Sequence, residues 1–186
     1  PLYLFDCVMP CAGGEGFMIM SRENAERKGL PYVNVLSTIE RHNAFPDDSI
    51  QMRGGWVLDI DELYDVAGKT PEDIDFLCTY DDYPVINVLQ LEDLGFCGKG
   101  EGPDFIRGHE FTWDGDFPLN PSGGQLSVGQ AGAAGGYLGL VETIRQLTGR
   151  PRGHQVPDAS VGLVSGFGMI NYDRGLCTAA TILEAA

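Results

Sequence analysis

Basic residues, histidines and long apolar runs are scarce in this sequence. Its 186 residues include 12 lysines and arginines against 27 aspartates and glutamates, which gives a formal net charge of −15. Nucleic-acid binding requires a basic face that neutralises phosphates, and anionic membrane surfaces attract basic segments. No apolar run approaches the roughly 20 residues of a membrane helix. We therefore expect no nucleic-acid partner and no association with a membrane.

The cysteines do not form a recognisable disulfide or metal-binding pattern. The five of them are an odd set without a CxxC pair, and reduced thiols in a cytoplasmic protein fit this usage. Cys7 and Cys11 are separated by three residues, but the three histidines lie far away in sequence and no second pair follows. We predict no metal site from this spacing. The chain begins at Pro1 inside an apolar stretch, so we expect a segment of something longer or a split subunit.

Strand-like and helix-like apolar patterns alternate along the chain. Strands are predicted at residues 16–20, 32–39, 74–79, 161–164 and 177–183. Helices are predicted at residues 22–28, 56–66, 85–94 and 137–147. Glycine-rich and proline-rich residues 98–136 are predicted to be loops, and residues 165–175 an irregular connection between two antiparallel strands. The alternation predicts an α/β layered domain.

The loop at residues 79–84 combines two tyrosines with two aspartates between a predicted strand and a predicted helix. Open α/β sheets usually place their sites at such strand ends. Asp81 or Asp82 can cap the helix, and Pro84 suits its first turn. Capping does not explain the tyrosines, which makes Tyr80 a candidate functional residue.

Two further loops carry candidate site residues. Residues 120–124 (NPSGG) precede a glycine-rich run at 129–136, where backbone can approach a ligand closely and a helix N-terminus favours negative charge. Tight helix packing against a sheet is the alternative explanation for these glycines. In the third loop Tyr172 stands beside Asp173 and Arg174, and a surface loop with an exposed ion pair is the alternative there.

These motifs, in this order, resemble the thiolase superfamily, and in particular its sterol-carrier-type thiolases and lipid-transfer-protein relatives. The matching segments lie at residues 6–7, 13–16, 94–102, 120–124, 155–157 and 179–183. The resemblance implies a layered α/β/α fold with a mixed sheet. It also implies that residues 1–30 end the N-terminal half of a thiolase, with its last strand and helix, and that residues 31–186 form the C-terminal domain.

The sequence departs from the superfamily at its proton-handling positions. Tyr80 stands where sterol-carrier-type thiolases have the histidine of a His-Asp-Cys-Phe motif. The glycine-rich motif normally carries Gly-His, and this sequence has Gly129-Gln130 there. The nucleophilic cysteine belongs to the absent N-terminal half. The second cysteine is replaced at residues 167–169, while Cys177 lies in the following strand and is expected to pack there. Claisen chemistry needs a thiolate and a base, and glutamine cannot accept and return a proton, so we do not expect thiolysis.

The resemblance to lipid-transfer-protein aldolases of steroid side-chain breakdown implies a carbon–carbon lyase, which cleaves a β-hydroxyacyl-CoA by a retro-aldol reaction. Tyr80 and Tyr172 are then the catalytic pair, with the roles of base and acid left open between them. The residues predicted to bind substrate or an oxyanion are Gln130, Asn120, Gly168 and Gly124. Coenzyme A would enter as part of the substrate, and no covalently bound cofactor is expected.

Two other functions stay open from the sequence. One is a non-catalytic thiolase-like subunit that binds acyl-CoA, and the other is a residual acyl-CoA thiolase or acyltransferase whose cysteine comes from the N-terminal half. The resemblance also implies partners: the N-terminal thiolase half on the same or a separate chain, a dimer, and a small OB-fold acyl-CoA-binding protein. Half of such a two-fold pseudo-symmetric fold would leave an apolar sheet face exposed, and a partner would be expected to cover it.

Overall fold

One mixed sheet of four strands organises the molecule, and a computed structural model describes residues 2–171 and 174–186. The strands are β1 (Val33–His42), β2 (Phe76–Cys78), β3 (Val161–Asn171) and β4 (Arg174–Ala185). The helices are α1 (Arg22–Arg27), α2 (Ile60–Ala67), α3 (Pro84–Asp93), α4 (Gly102–Gly108), α5 (Gly124–Val128) and α6 (Leu138–Leu147). Short 3₁₀ turns occur at Leu4–Asp6, Gly55–Leu58, Pro71–Asp73 and Gly132–Tyr137.

The strand order across the sheet is β1-β4-β3-β2. β4 lies antiparallel to both β1 and β3, as predicted for the last two strands, and β2 runs parallel to β3. β1 and β2 therefore form the two edges of the sheet, and the carboxyl end of β2 opens toward the loop at residues 79–84.

Alternate residues of each strand face two separate apolar cores, because successive side chains of a strand point to opposite faces. On one face Leu163 packs with Trp56 and with Leu63 of α2 and Leu91 of α3. On the other face Val164 belongs to a second core together with Phe76 and with Leu147 of α6. The sheet is thus covered by helices on both sides, which confirms the predicted α/β/α class.

The predicted strand at residues 16–20 is wrong. The segment forms no regular element, and Met18 and Ile19 are 75% and 89% exposed. A short apolar run becomes a strand only where its backbone groups pair with a neighbour, and none of the described strands pairs with it. The following helix matches its prediction, with the Ser21 hydroxyl accepting a hydrogen bond from the amide of Asn24.

Two predicted irregular regions contain regular structure. Residues 98–136 include helices α4 and α5 as well as loops. The strands β3 and β4 continue through most of the predicted connection at 165–175, with backbone pairing in register as far as Asn171 opposite Arg174. Main-chain hydrogen bonding does not need an apolar-polar alternation, so this extension left no clear sequence pattern.

Within the described residues, no helix combines the length and the apolar character that a bilayer crossing requires. This agrees with the absence of a long apolar run in the sequence.

Candidate active site

A small pocket opens where β2 ends. The loop after β2, the loop at residues 120–124, the start of α5 and the glycine-rich run before α6 surround it. The residues that line it include Tyr80, Asp81, Asn120, Gly124, Gln125 and Ser165. Segments that are far apart in sequence therefore meet at the position that the sequence analysis selected.

Tyr80 and Gln130 are in direct contact. The side-chain amide nitrogen Nε2 of Gln130 donates a hydrogen bond to the Tyr80 hydroxyl oxygen at 2.5 Å, although the two residues are 50 positions apart. Because the oxygen accepts this bond, the bond does not use the proton of the Tyr80 hydroxyl. The two departures from the thiolase pattern are thus neighbours in space.

The surroundings of Tyr80 favour its neutral form. Burial, and then the charge of Asp82, raise the pKa of the Tyr80 phenol above its usual value, while the hydrogen bond from Gln130 acts in the opposite direction. A tyrosine that serves as a base at neutral pH needs a lowered pKa. Burial and the neighbouring Asp82 charge therefore favour Tyr80 as a proton donor or hydrogen-bond donor.

Both donor hydrogens of the Gln130 amide are directed within the chain. Besides the bond to Tyr80, Nε2 donates to Oε1 of Gln125 at 3.1 Å. An amide nitrogen has two hydrogens to donate. Oxyanion binding by Gln130 stays a prediction, and in this arrangement it would require one of these two bonds to break.

Asn120 secures the end of β2. Its Oδ1 accepts a hydrogen bond from the Thr79 amide at 2.8 Å, and its Nδ2 donates to the Thr79 hydroxyl at 3.0 Å. The Asn120 amide donates to the carbonyl of Leu77 at 2.8 Å. These contacts give Asn120 a structural role next to Tyr80, and its predicted contact with substrate stays a prediction.

Gly124 is required by the close approach of a carboxylate. It has a φ of +62°, and a Cβ atom at this position would lie 2.0 Å from Oδ2 of Asp81. The Asp81 carboxylate accepts hydrogen bonds from the amides of Gln125 at 2.7 Å and Leu126 at 3.4 Å. Gly124 therefore lets a buried carboxylate reach the first amides of α5, and binding of substrate by Gly124 stays a prediction.

The expected capping of α3 by Asp81 or Asp82 is wrong. Tyr83 occupies the N-cap position of α3 without a side-chain hydrogen bond, and Pro84 is the first residue of the helix, as predicted. Asp81 instead caps α5, a contact across 44 residues of sequence that no local pattern indicates. Asp82 has a buried Oδ1 atom without a hydrogen-bond partner among the described residues.

Burial raises the pKa of Asp81 to about 6, against the hydrogen bonds from the Gln125 and Leu126 amides. The folded state then binds this proton more tightly than the unfolded state, so its contribution to stability falls as pH rises from about 4 to 6. We expect Asp81→Asn to remove this pH dependence, which amounts to about 3 kcal/mol in all and to about 2 kcal/mol between pH 4.5 and 7.5. Urea unfolding at pH 4.5 and pH 7.5 measures the difference. Equal pH slopes for both proteins would contradict the assignment.

The predicted neighbourhood of Tyr80 with Gly168 and Tyr172 has a different outcome for each residue. Gly168 lies in β3 opposite Cys177 of β4, and is not among the residues lining the described pocket. It is three positions beyond Ser165, so it faces the other side of the sheet, roughly 10 Å along the strand. Tyr172 lies outside the described residues, and its partnership with Tyr80 stays a prediction.

Gln90 supports the candidate site, and the sequence analysis missed it. It is fully buried, and its Oε1 accepts hydrogen bonds from the Tyr80 amide at 3.1 Å and the Ser165 hydroxyl at 2.6 Å. Its Nε2 donates to the carbonyls of Tyr80 at 2.7 Å and Ile86 at 2.9 Å. Gln90 thus holds the backbone of Tyr80 from both sides. The sequence pattern that could have indicated its role is a glutamine between Leu89 and Leu91, on a helix that packs into the core.

This fold is that of a thiolase-type domain, and the comparisons agree. The profile of the family described as "Thiolase C-terminal domain-like" matches residues 60–181. The chain belongs to the thiolase C-terminal domain-like family, which confirms the membership predicted from the motifs.

The similar proteins include both a lyase and a thiolase subunit. The steroid side-chain-cleaving aldolase of Thermomonospora curvata is 32% identical over 158 residues, which cover 80% of this chain and 39% of that protein. The benzoylsuccinyl-CoA thiolase subunit BbsB of Thauera aromatica is 27% identical over 159 residues, which cover 84% of this chain and 41% of that protein. The chain therefore spans about 40% of the length of these curated relatives.

A solved structure named "Ltp2-ChsH2(DUF35) aldolase" has the same fold. The two superpose with a TM-score of 0.79 and 27% sequence identity. The matched region covers all of this chain and 48% of the chain in that structure. The branch predicted from the motifs, that of lipid-transfer-protein aldolases, is thus represented among the similar proteins.

Proposed function

We propose that this chain supplies the C-terminal half of a carbon–carbon lyase that cleaves a β-hydroxyacyl-CoA by a retro-aldol reaction. The observation that carries the proposal is the Tyr80 hydroxyl, hydrogen-bonded to Gln130 at a pocket beside the end of β2. The resemblance implies histidines at these two positions in sterol-carrier-type thiolases. The similarity to a steroid side-chain-cleaving aldolase supports this reaction class and points to a steroid side-chain CoA ester as the substrate.

The reaction moves one proton from oxygen to carbon. A base takes the proton of the β-hydroxyl group, the carbonyl of the first product forms, and the Cα–Cβ bond breaks. The electron pair of that bond passes to the thioester enolate, and an acid then protonates Cα. No free coenzyme A, metal ion or redox partner enters this balance.

Tyr80 fits the acid in this scheme. Burial raises the pKa of the phenol, which favours its protonated form, and the hydrogen bond from Gln130 does not use the hydroxyl proton. After the transfer, the Gln130 amide would donate to the phenolate oxygen and stabilise it. The base is then assigned to Tyr172, a role that rests on the resemblance alone.

Thiolysis is the second candidate, because one thiol adjoins the site. Cys11 is exposed, its amide donates to the Gln130 carbonyl at 3.0 Å, and its Sγ lies 2.9 Å from where a Cβ atom of Gly129 would be. An acyl-accepting cysteine also needs a base. None of the chain's three histidines lines the described pocket, which weighs against acyl transfer here.

We expect Cys11→Ser to keep at least about half of the wild-type cleavage rate, because the proposed mechanism forms no covalent intermediate. The measurement is the initial rate of carbonyl product formation in the full protein, with and without iodoacetamide. Cys97→Ser, which changes a half-buried thiol in the loop after α3, is the matched control. A rate that collapses only in Cys11→Ser would favour acyl transfer.

The partners of this chain are also proposals. We infer an N-terminal thiolase half, on the same or a separate chain, because the chain spans about 40% of its relatives and residues 2–20 expose apolar side chains. Those most exposed in that segment are Tyr3, Phe5, Met18 and Ile19. A dimer and an OB-fold acyl-CoA-binding protein follow only from the resemblance.

The experiment that tests the proposed function is a cleavage assay with the requirement for free coenzyme A as its readout. The full protein is incubated with a steroid β-hydroxyacyl-CoA in the absence of free coenzyme A. Retro-aldol cleavage then yields a carbonyl compound and a shortened acyl-CoA, whereas thiolysis of a β-ketoacyl-CoA proceeds only when free coenzyme A is added. If the protein cleaved only the β-ketoacyl-CoA, and only in the presence of free coenzyme A, the proposal would be refuted.

A further inference from the structure

A cluster of three metal-binding side chains lies on the sheet edge opposite β2. Glu40 and His42 of β1 and Cys177 of β4 bring one carboxylate oxygen, one imidazole nitrogen and one sulfur within 4.8 Å of one another. This cluster belongs neither to the pocket at the end of β2 nor to the proposed lyase chemistry.

The strand register brings these side chains together. His42 and Cys177 are direct cross-strand partners in the antiparallel pair β1–β4, and Glu40 precedes His42 by two positions, so it projects from the same face. The Cys177 sulfur lies 3.9 Å from Nε2 of His42, and the same nitrogen contacts the Glu40 carboxylate. The single imidazole nitrogen thus contacts both of the other donor atoms.

The donor set matches the preferences of zinc. Zn²⁺ binds thiolate sulfur at about 2.3 Å, imidazole nitrogen at about 2.0–2.1 Å and carboxylate oxygen at about 2.0–2.2 Å. A tetrahedral ion at these distances holds its ligand atoms about 3.3–3.7 Å apart. Because the three atoms already lie within 4.8 Å of one another, small side-chain movements would let them surround one ion. Three protein ligands leave a fourth tetrahedral position for water or for an added ligand.

A simple surface ion pair between Glu40 and His42 is the competing explanation. It requires a protonated imidazole, and exposed pairs of this kind contribute little to stability. It also assigns no role to the nearby sulfur. Arg41, the intervening residue, pairs with Asp59 on the opposite face of β1, so its guanidinium does not neutralise this carboxylate.

We propose that Glu40, His42 and Cys177 form a binding site for one zinc-like divalent transition-metal ion that clamps the edge strand β1 to β4. The site is open at its fourth position and is exposed to solvent, with His42 and Glu40 side chains 54% and 62% exposed. Sequence spacing could not indicate it, because Cys177 lies 135 residues after His42.

Metal binding by the full protein tests this proposal, with Co²⁺ as the spectroscopic probe and Zn²⁺ as the competitor. We expect a thiolate-to-cobalt charge-transfer band that Zn²⁺ abolishes at one equivalent per chain. Cys177→Ser should abolish the band, and His42→Gln and Glu40→Gln should weaken Zn²⁺ binding by at least about tenfold. Cys97→Ser and His154→Gln, which alter a thiol and an exposed imidazole elsewhere, should leave both unchanged.

A second measurement uses the unmodified protein. Zn²⁺ should slow alkylation of Cys177 by iodoacetamide at least about tenfold, since a metal-bound thiolate is masked, and peptide mass spectrometry identifies the protected residue. Alkylation of exposed Cys11 is the internal control and should not change. Binding without a sulfur charge-transfer band, or equal alkylation of Cys177 with and without Zn²⁺, would overturn the proposal. Neither outcome bears on the lyase reaction, which is measured separately.

Discussion

Tyr80→Phe is expected to lower the turnover number for retro-aldol cleavage by about 10²–10⁴-fold, the range typical for loss of a general acid or base. The substitution removes one hydroxyl group and preserves the ring, which packs against the core beneath the pocket. Affinity for the CoA ester should change by less than about tenfold, because the phenol is proposed to act on the reacting carbon and not to bind coenzyme A. Rapid-quench kinetics and equilibrium titration separate the two quantities.

Tyr83→Phe is the matched control for this experiment. Tyr83 lies three positions later, its side chain is partly exposed, and it is not among the residues lining the described pocket. Its hydroxyl should be dispensable, with activity within about twofold of wild type. Unchanged turnover in Tyr80→Phe would remove Tyr80 from the proposed catalytic machinery.

Gln90→Leu is expected to give the largest combined loss of stability and activity. The leucine has a similar volume but leaves the buried amide and carbonyl of Tyr80 and the hydroxyl of Ser165 without their partner. Each unsatisfied buried polar group costs about 1–3 kcal/mol, so the free energy of unfolding should fall by about 3 kcal/mol or more. The carbonyl of Ile86 loses only an additional bond.

The activity of Gln90→Leu distinguishes a positioning role from a purely structural one. Displacement of Tyr80 by about 1 Å can lower a rate by about 100-fold, so turnover should fall while the Michaelis constant stays within a few-fold of wild type. Chemical denaturation and steady-state kinetics below the unfolding transition measure the two effects. Gln51→Leu, which loses one hydrogen bond from the Gly175 amide, is the control. A stable Gln90→Leu protein with normal turnover would show that the Tyr80 backbone needs no such support.

Local patterns predicted the helices well where a cap and a stop lie close in sequence. Ser21 at the start of α1 and the glycines after α1, α2 and α3 set boundaries through local hydrogen bonds and positive φ angles. The error at residues 16–20 has the opposite cause. The apolar run at residues 16–20 indicates only that the segment is hydrophobic. A strand also needs a hydrogen-bonded partner, and no strand of the described sheet pairs with this segment.

Loop composition also selected several of the residues around the candidate pocket. Tyr80, Asn120 and Gly124 stood out because they occupy loops with unusual composition, and these loops do meet at one pocket. Gln90 was missed because it lies in the middle of a helix, and its role depends on the backbone of another element. The capping of α5 by Asp81 was missed because it is a contact across the fold.

The sequence by itself determined the family and the layered α/β class, because motif identity and apolar periodicity are local properties of the chain. The replacement of histidine by Tyr80 and Gln130 stays a prediction from the resemblance. Only the tertiary structure decided that Gln130 donates to Tyr80, that burial raises the pKa of the phenol and that His42 lies beside Cys177. Hydrogen bonds, desolvation and metal-ligand distances depend on the separation of atoms in space, and strand register and helix packing set that separation.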